Sequence, residues 1–342
     1  MISTTHGGDV FGAARRLKVS VSQLIDFSAS INPMGISARA LRRLKGELRL
    51  ARHYPDGAQQ ELRHLIAVRE KIDPQCIIFG NGATQLLHVI PRCLRPRKAL
   101  LLAPGFSEYW NALHQGRCRI AWHSLKPEEK FQLRLAGLME RIEEAHAGIV
   151  MLANPNNPTG KTVSHSALNQ LVNFCRSRAV HLVVDESFLD FTSQPSLATL
   201  ASRQDYLIVV RSLTKFYALA GLRIAYMVAS APLIHALAGH LEPWSVNTLA
   251  LIAAAESLKD GEYQKRTLAL IESERQYLFS QLQRLGWLVP FPSQSNFLLV
   301  RIKAPEVSGG ELRRELEKDH ILIRDSVGFH GLGPQFIRLA VS

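Results

Sequence analysis

The sequence predicts an α/β protein: a mostly parallel sheet sandwiched by helices, followed by a smaller α+β domain. Two observations predict this class. From residue 56 to about 230, short apolar runs alternate with helical patterns, as in strand–helix–strand units. After about residue 245 a long helical region, 247–285, and a few isolated strand patterns replace that alternation. With 342 residues, the chain is also long enough for two domains.

The strand candidates of the first region are short apolar runs that end in glycine or polar residues. In chain order they read CIIFGNG, ALLLAPG, GIVMLANP, HLVVDES, YLIVVRS and RIAYMVA. Helical spacing of apolar residues predicts one helix from Asp56, with Leu62, Leu65 and Ile66 on one face. It predicts a second over 164–176. We therefore expect a large domain over 46–245.

The remaining segments predict the smaller domain. After the helical region come SNFLLVRI, a helix at 309–319, and the strands ILIRD and FIRLAVS. We expect 246–342 to form the small C-terminal domain and residues 1–45 to pack with it.

Composition excludes several classes of protein. No apolar run reaches the roughly 18 residues of a membrane span, and the first residues lack the order of a secretory signal, which predicts a cytoplasmic protein. The four cysteines form no CxxC pair, and we expect no metal site. The net charge of +12 is spread along the chain without a zinc-finger or RNP signature, so we expect no nucleic-acid partner. A basic surface beside an anionic small-molecule site is the expected use of that charge.

Polar residues follow the predicted strands where each one ends. The carboxyl ends of parallel strands share one edge of a sheet, and ligands bind there. The clusters are Gly80–Thr84, Asn154–Gly160, Asp185–Ser187 and Arg211–Lys215, with Arg223 eight residues further on. Each has an alternative structural interpretation: a snorkelling lysine, a simple turn at NPNNPTG, a helix N-cap at Asp185. Their common register favours a single site.

The chemistry of this set fits pyridoxal 5′-phosphate. A lysine at a dry strand end can lose its proton and form a Schiff base. An aspartate can pair with a pyridinium N–H, and an asparagine can donate to a phenolic oxygen. A glycine turn that opens a helix offers backbone N–H groups to a phosphate.

The elements NPNNPTG, DES, SLTK and Lys-x7-Arg resemble those of fold-type I pyridoxal-phosphate enzymes, the aspartate aminotransferase-like superfamily. The resemblance spans nearly the whole chain. It implies that Lys215 is the catalytic residue that carries the cofactor, that Asp185 pairs with the ring nitrogen and that Asn157 bonds the ring O3′. It further implies a site for the cofactor phosphate, formed by Ala83, Thr84, Ser212 and Arg223. Tyr109 would stack on the cofactor ring. Tyr54 would reach the cofactor phosphate of a neighbouring subunit, which implies a homodimer.

Within this superfamily the chain resembles the branch shared by histidinol-phosphate aminotransferases and threonine-phosphate decarboxylases of cobalamin biosynthesis. HGG at His6, LIDFSASINPMG, PWSVN and DESFLDF, with Phe188 where most aminotransferases have a tyrosine, favour the decarboxylases. This resemblance implies a phosphorylated amino acid as substrate and a site made of His6, Gly7, Ser30, Asn157, Arg324 and Arg338. Ser30 departs from the family, which usually has asparagine there.

The sequence thus predicts a decarboxylase acting on O-phospho-L-threonine, with an aminotransferase of the histidinol-phosphate type as the alternative. A catalytically silent binding protein of the same fold is a third possibility, which the intact Lys215 disfavours. Isolated arginines such as Arg324 and Arg338 can also pair with surface acids. Two of them at strand ends of the small domain better suit clamps for a carboxylate and a phosphate.

Overall fold

The computed structural model describes residues 6–342. In chain order its strands are β1 (Ile25–Asp26), β2 (Ile77–Asn81), β3 (Lys98–Ala103), β4 (Arg119–Ser124), β5 (Ile149–Ala153), β6 (His181–Asp185), β7 (Leu207–Ser212), β8 (Ile224–Val228), β9 (Leu288–Pro290), β10 (Phe297–Ile302), β11 (Ile321–Leu322), β12 (Arg324–Asp325) and β13 (Phe336–Ala340). Its α-helices are α1 (Val10–Leu17), α2 (Ala38–Glu47), α3 (Gln60–Glu70), α4 (Gly82–Leu94), α5 (Ser107–Gln115), α6 (Leu135–Ala145), α7 (His165–Ser177), α8 (Ala198–Ala201), α9 (Ala231–Ala238), α10 (Thr248–Leu258), α11 (Gly261–Arg284) and α12 (Gly309–Lys318).

A seven-stranded sheet in the order β2-β8-β7-β6-β5-β3-β4 organises the large domain. The neighbours from β7 to β4 pair in parallel, whereas β8 is antiparallel to both β2 and β7. Every residue of β5, β7 and β8 is buried, because helices cover both faces and two apolar cores form, one on each side. The predicted fold class is confirmed, with one reversed strand in a mixed sheet.

The sequence patterns missed β4 at the edge of this sheet. Its residues RIAWHS are exposed or only partly buried, since one side of the strand has no neighbour in the sheet. An edge strand of this kind needs no continuous apolar run, so the pattern used for the central strands does not detect it.

A four-stranded antiparallel sheet, β12-β13-β10-β9, forms the centre of the smaller domain. Its apolar core includes Leu298, Val300, Ile337 and Leu339. The N-terminal segment joins the smaller domain through β1, which pairs in parallel with β11 in a separate two-stranded sheet. The domain boundaries expected from the sequence, 1–45, 46–245 and 246–342, stay a prediction.

The helical region 247–285 consists of two helices. α10 ends at Leu258, and α11 begins at Gly261. Asp260 separates them, and its side chain accepts a hydrogen bond of 3.1 Å from the backbone N–H of Tyr263, which caps the new helix. An Asp-Gly pair is a recognisable helix start, so this break could have been read from the sequence.

None of the helices within residues 6–342 is both long and apolar enough to span a bilayer. Across the same residues, no three or more His, Cys, Asp or Glu side chains are grouped to hold a metal ion. All four cysteines are free thiols.

Candidate active site

A cavity of about 270 Å³ lies where the carboxyl edge of the large sheet faces the small domain. The structure brings nearly all the expected site residues to its wall. The expected residues lining it are His6, Gly7, Ser30, Ala83, Thr84, Tyr109, Asn157, Asp185, Ser212, Lys215, Arg223, Arg324 and Arg338. Four of these carry positive charges, and Asp185 is the carboxylate among the described residues that line the cavity. The cavity is therefore suited to ligands with several negative charges.

A glycine turn and an arginine build one end of the cavity. Gly82 begins α4 with φ +77°, and a Cβ atom there would lie 2.3 Å from Nη2 of Arg223. The first N–H groups of α4, at Ala83 and Thr84, have no partner within the helix and attract anions. Because β8 runs antiparallel to its neighbours, Arg223 at its start lies at the same edge as the ends of the other strands. Ser212, at the end of β7, adds a hydroxyl bonded to Thr214 at 2.6 Å.

Lys215 lies three residues beyond the end of β7 and is half-buried on the cavity wall. Burial lowers its pKa to about 8, and the charges of Arg223 and Arg338 add to that effect while Asp185 opposes it. The unprotonated amine, the form that attacks a carbonyl, is consequently more abundant near neutral pH than in an ordinary lysine.

Asp185 ends β6 and is only 4% exposed. Burial raises its pKa, whereas hydrogen bonds from Ser187 and Tyr109 oppose the rise. The Tyr109 hydroxyl donates to Oδ2 at 2.8 Å, and the Ser187 backbone N–H donates to Oδ1 at 2.9 Å. The bond from the Tyr109 hydroxyl fixes the Asp185 carboxylate, and the expected stacking of the Tyr109 ring on the cofactor stays a prediction.

Phe106 is, with Phe329, an aromatic residue of the cavity wall that sequence reasoning missed. It lines the cavity and meets Tyr109 edge-on, with ring centroids 5.6 Å apart. It lies three residues before Tyr109 in the same PGFSEY stretch, just before α5 begins. Both residues line the cavity.

Arg338 connects the two domains across the cavity. Its Nη1 donates to Oδ1 of Asn157 at 2.8 Å, and its Nη2 donates to the carbonyl of Ser28 at 2.8 Å. Its guanidinium also lies 5.3 Å from the ring centre of Phe297. Burial, and then the charge of Arg324, lower the pKa of Arg338 to about 9. An anion in the cavity would compensate both arginines.

Arg324 lies beside Arg338, because β12 and β13 pair them directly. Its Nη2 donates to the carbonyl of Val327 at 2.5 Å, and burial lowers its pKa. Nearby, Ser30 is buried, and its Oγ has no hydrogen-bond partner among residues 6–342. A buried hydroxyl without a partner on a cavity wall is available to a ligand.

The N-terminal segment closes the rim. His6 bonds Glu108 through Nε2 at 2.9 Å, and a Cβ at Gly7 would lie 2.2 Å from the carbonyl of Ser28. Glu108 is a second residue that sequence reasoning missed. The histidine and the glutamate lie 102 positions apart, so no local pattern indicates the contact.

Tyr54 is not brought to the cavity of its own chain. Its ring is 80% exposed and stacks on Trp244 with centroids 4.6 Å apart. Its expected contact with a neighbouring subunit stays a prediction.

Comparisons with known proteins agree with this architecture. The family model for aminotransferase class I and II matches residues 22–342. The threonine-phosphate decarboxylase of Salmonella typhimurium is 34% identical over 100% of this chain and 93% of its own length. A bifunctional adenosylcobalamin biosynthesis protein of Leptospira interrogans is 29% identical over 98% of this chain and 39% of its own length. A histidinol-phosphate aminotransferase of Pseudomonas putida is 31% identical over 94% of this chain and 90% of its own.

Solved structures show the same fold. The L-threonine-O-3-phosphate decarboxylase of Porphyromonas gingivalis superimposes with a TM-score of 0.82 and 26% identity, covering 93% of this chain and 94% of that one. The histidinol-phosphate aminotransferase of Sinorhizobium meliloti, in complex with pyridoxal 5′-phosphate, has a TM-score of 0.86. At 22% identity, covering 97% of this chain and 89% of that one, it supports the fold alone. On the family match and the full-length relatives, this chain belongs to the aminotransferase class I and II family.

Proposed function

We propose that this protein is a pyridoxal-phosphate-dependent carboxy-lyase, which converts O-phospho-L-threonine to (R)-1-amino-2-propanol phosphate in cobalamin biosynthesis. The observation that carries the proposal is the charge of the cavity: among the described residues, a half-buried lysine and three arginines line it with one carboxylate. Three arginines suit three anionic groups, namely a cofactor phosphate, a substrate carboxylate and a substrate phosphate. The full-length similarity to a threonine-phosphate decarboxylase supports the same substrate.

The residues present fit the cofactor. Pyridoxal phosphate, bound as a Schiff base, supplies an electron sink for the bonds at the substrate's Cα. The N-terminus of α4, Ser212 and Arg223 would hold its phosphate. The close approach of Arg223 to Gly82 supports this assignment. Because Gly82 has no side chain, the guanidinium and the backbone N–H groups that begin α4 lie next to each other. Lys215 would form the covalent link.

Three further side chains would hold the ring. Asp185, fixed by Tyr109 and Ser187, would accept the pyridinium N–H. Asn157 has its oxygen turned to Arg338, which leaves its amide N–H₂ to donate to O3′. Tyr109 would pack against the ring face, with Phe106 beside it.

Orientation would decide the reaction. The bond that breaks is the one held perpendicular to the ring, so a decarboxylase must hold the carboxylate out of the ring plane. Arg338, anchored by Asn157 and Ser28, is suited to hold it. Arg324, with Ser30 and His6, would then hold the phosphate. Lys215, with a pKa near 8, could return a proton to Cα after CO₂ leaves.

An aminotransferase of the histidinol-phosphate type is the alternative, favoured by the 31% identical relative. Its amino donor glutamate would also use two arginines. One structural feature of this chain supports the decarboxylase: Phe188, on the cavity wall, packs edge-on against Phe297 and offers no hydroxyl to the cofactor.

The test offers the purified holoenzyme both substrates. We expect CO₂ release from O-phospho-L-threonine without an added 2-oxo acid. We expect little glutamate to form when the enzyme is given histidinol phosphate together with 2-oxoglutarate. Faster glutamate turnover than CO₂ release would reject the decarboxylase in favour of the aminotransferase.

We further propose a cytoplasmic homodimer, in which the exposed Tyr54 reaches the cofactor phosphate of the neighbouring subunit. The exposed stack of Tyr54 on Trp244 supports a contact surface at this place.

A further inference from the structure

The carboxylate of Glu108 is held from three sides at the rim of the cavity. Oε1 accepts hydrogen bonds from Nδ2 of Asn111 at 2.6 Å and from Nε2 of His6 at 2.9 Å. Oε2 accepts one from Nε2 of His88 at 3.2 Å. The donors come from the N-terminal segment, from α4 and from α5 itself. These three hydrogen bonds fix the Glu108 side chain, which is only 11% exposed.

The charge state of Glu108 determines which nitrogen of His6 carries a proton. Hydrogen bonds from His6 and then His88 hold the pKa of Glu108 well below its usual range, against the effect of burial. An ionised carboxylate only accepts hydrogen bonds, so Nε2 of His6 must be protonated. Nδ1 is then the ring nitrogen that has no contact with Glu108.

His6 lies on the side of the cavity where the two small-domain arginines lie. It lines the cavity together with Arg324 and Arg338. The backbone N–H of Gly8 donates to Oγ of Ser28 at 2.8 Å, and the Ser28 carbonyl accepts from Arg338. The His6 side chain is 49% exposed, so the bond to Glu108 is what fixes its direction.

We propose that Glu108 is a positioning residue that orients the His6 ring for contact with the second anion of the substrate. Glu108 would thereby help the enzyme to select phosphorylated over unphosphorylated amino acids without touching the substrate itself. The inference rests on the proposed function only in assuming a ligand that carries an amine and a phosphate.

The test compares Glu108→Gln, His6→Gln and the double variant as holoenzymes. Calorimetry measures binding of (R)-1-amino-2-propanol phosphate and of unphosphorylated 1-amino-2-propanol. Each single change should weaken binding of the phosphate ester roughly tenfold and leave the amino alcohol unaffected. KM for O-phospho-L-threonine should rise by a similar factor while kcat stays within about twofold. The double variant should be no weaker than His6→Gln, because Glu108 acts through His6.

Glu256→Gln is the matched control. Glu256 also accepts from two cations, Arg39 at 2.7 Å and Lys259 at 3.0 Å, with 15% side-chain exposure, away from the cavity. It should bind both ligands as the wild type does. Equal weakening of both ligands in Glu108→Gln, or additive losses in the double variant, would overturn the inference.

If Glu108→Gln does not fold, the near-terminal His6→Gln variant provides the test. Wild-type affinity of His6→Gln for the phosphate ester would also overturn the inference. The proposed function can fail separately. If the variants show these binding effects but the wild type releases no CO₂ from O-phospho-L-threonine, the proposed function is rejected and this inference is supported.

Discussion

Arg223 occupies the space that a side chain at Gly82 would need, with Nη2 only 2.3 Å from where a Cβ atom would lie. The glycine also has φ +77°, a conformation that other residues adopt at a cost. The turn and the guanidinium thus depend on each other. This relationship supports the assignment of the phosphate site.

Gly82→Ala should therefore weaken pyridoxal phosphate binding by at least about tenfold. The left-handed conformation costs a non-glycine residue about 1–2 kcal/mol, and the new methyl group displaces Arg223. Fluorescence titration of the apoprotein measures the affinity. Gly46→Ala, in α2 with open space around its Cβ position, serves as the control. Unchanged cofactor affinity in Gly82→Ala would remove this turn from the phosphate site.

Lys215→Ala should abolish the covalent cofactor adduct. The wild type should be yellow, and borohydride should bleach it and fix the cofactor to the chain. A variant that still gives a reducible adduct would show that another lysine carries the cofactor.

The pH dependence of adduct formation tests the lowered pKa of Lys215. Only the unprotonated amine reacts, so its fraction rises with pH through a pKa of about 8. The rate at which apoprotein takes up pyridoxal phosphate should rise with pH through a midpoint near pH 8 and level off at higher pH. Stopped-flow absorbance measures this rate. A midpoint near the ordinary lysine value, about 10.4, would contradict the description of a dry, cationic environment.

Asp185→Ala should reduce turnover by orders of magnitude while some cofactor stays bound through its phosphate. Without the carboxylate the pyridine nitrogen loses its proton, and the ring becomes a poor electron sink. Steady-state turnover and bound-cofactor content, measured on the same preparation, separate the two effects. Near-normal turnover would remove the role of Asp185.

Arg324→Ala should lower kcat/KM for O-phospho-L-threonine by roughly ten- to a hundredfold, since a charge-assisted bond contributes about 1.5–3 kcal/mol. Unphosphorylated threonine, which lacks the second anion, should be affected much less. Arg301→Ala, an exposed position on β10, is the control. Equal losses for both substrates would mean that the roles of Arg324 and Arg338 must be exchanged or dropped.

The sequence indicated the catalytic edge well because its residues follow apolar strands directly. Lys215, Asp185 and Asn157 are identified by the strands that end beside them, and Arg223 by its place eight residues after Lys215. The structure places all four around one cavity. The antiparallel direction of β8 was not apparent, although it is what brings Arg223 to that edge.

Contacts between distant segments could not be predicted in the same way. The bond from Tyr109 to Asp185 spans 76 positions, and the family resemblance implied only the stacking of Tyr109 on the cofactor. The bond between His6 and Glu108 depends on how the N-terminal segment crosses the cavity rim. Neither is encoded in local periodicity, since both arise only when separate elements pack together.

The most direct measurement of the central claim is the structure of the product formed from O-phospho-L-threonine. NMR on a single reaction of the holoenzyme, without a 2-oxo acid, identifies it. The account predicts (R)-1-amino-2-propanol phosphate, with the carboxyl group lost and the amine retained. A 2-oxo acid product that keeps the carboxyl group, or unchanged substrate, would contradict it.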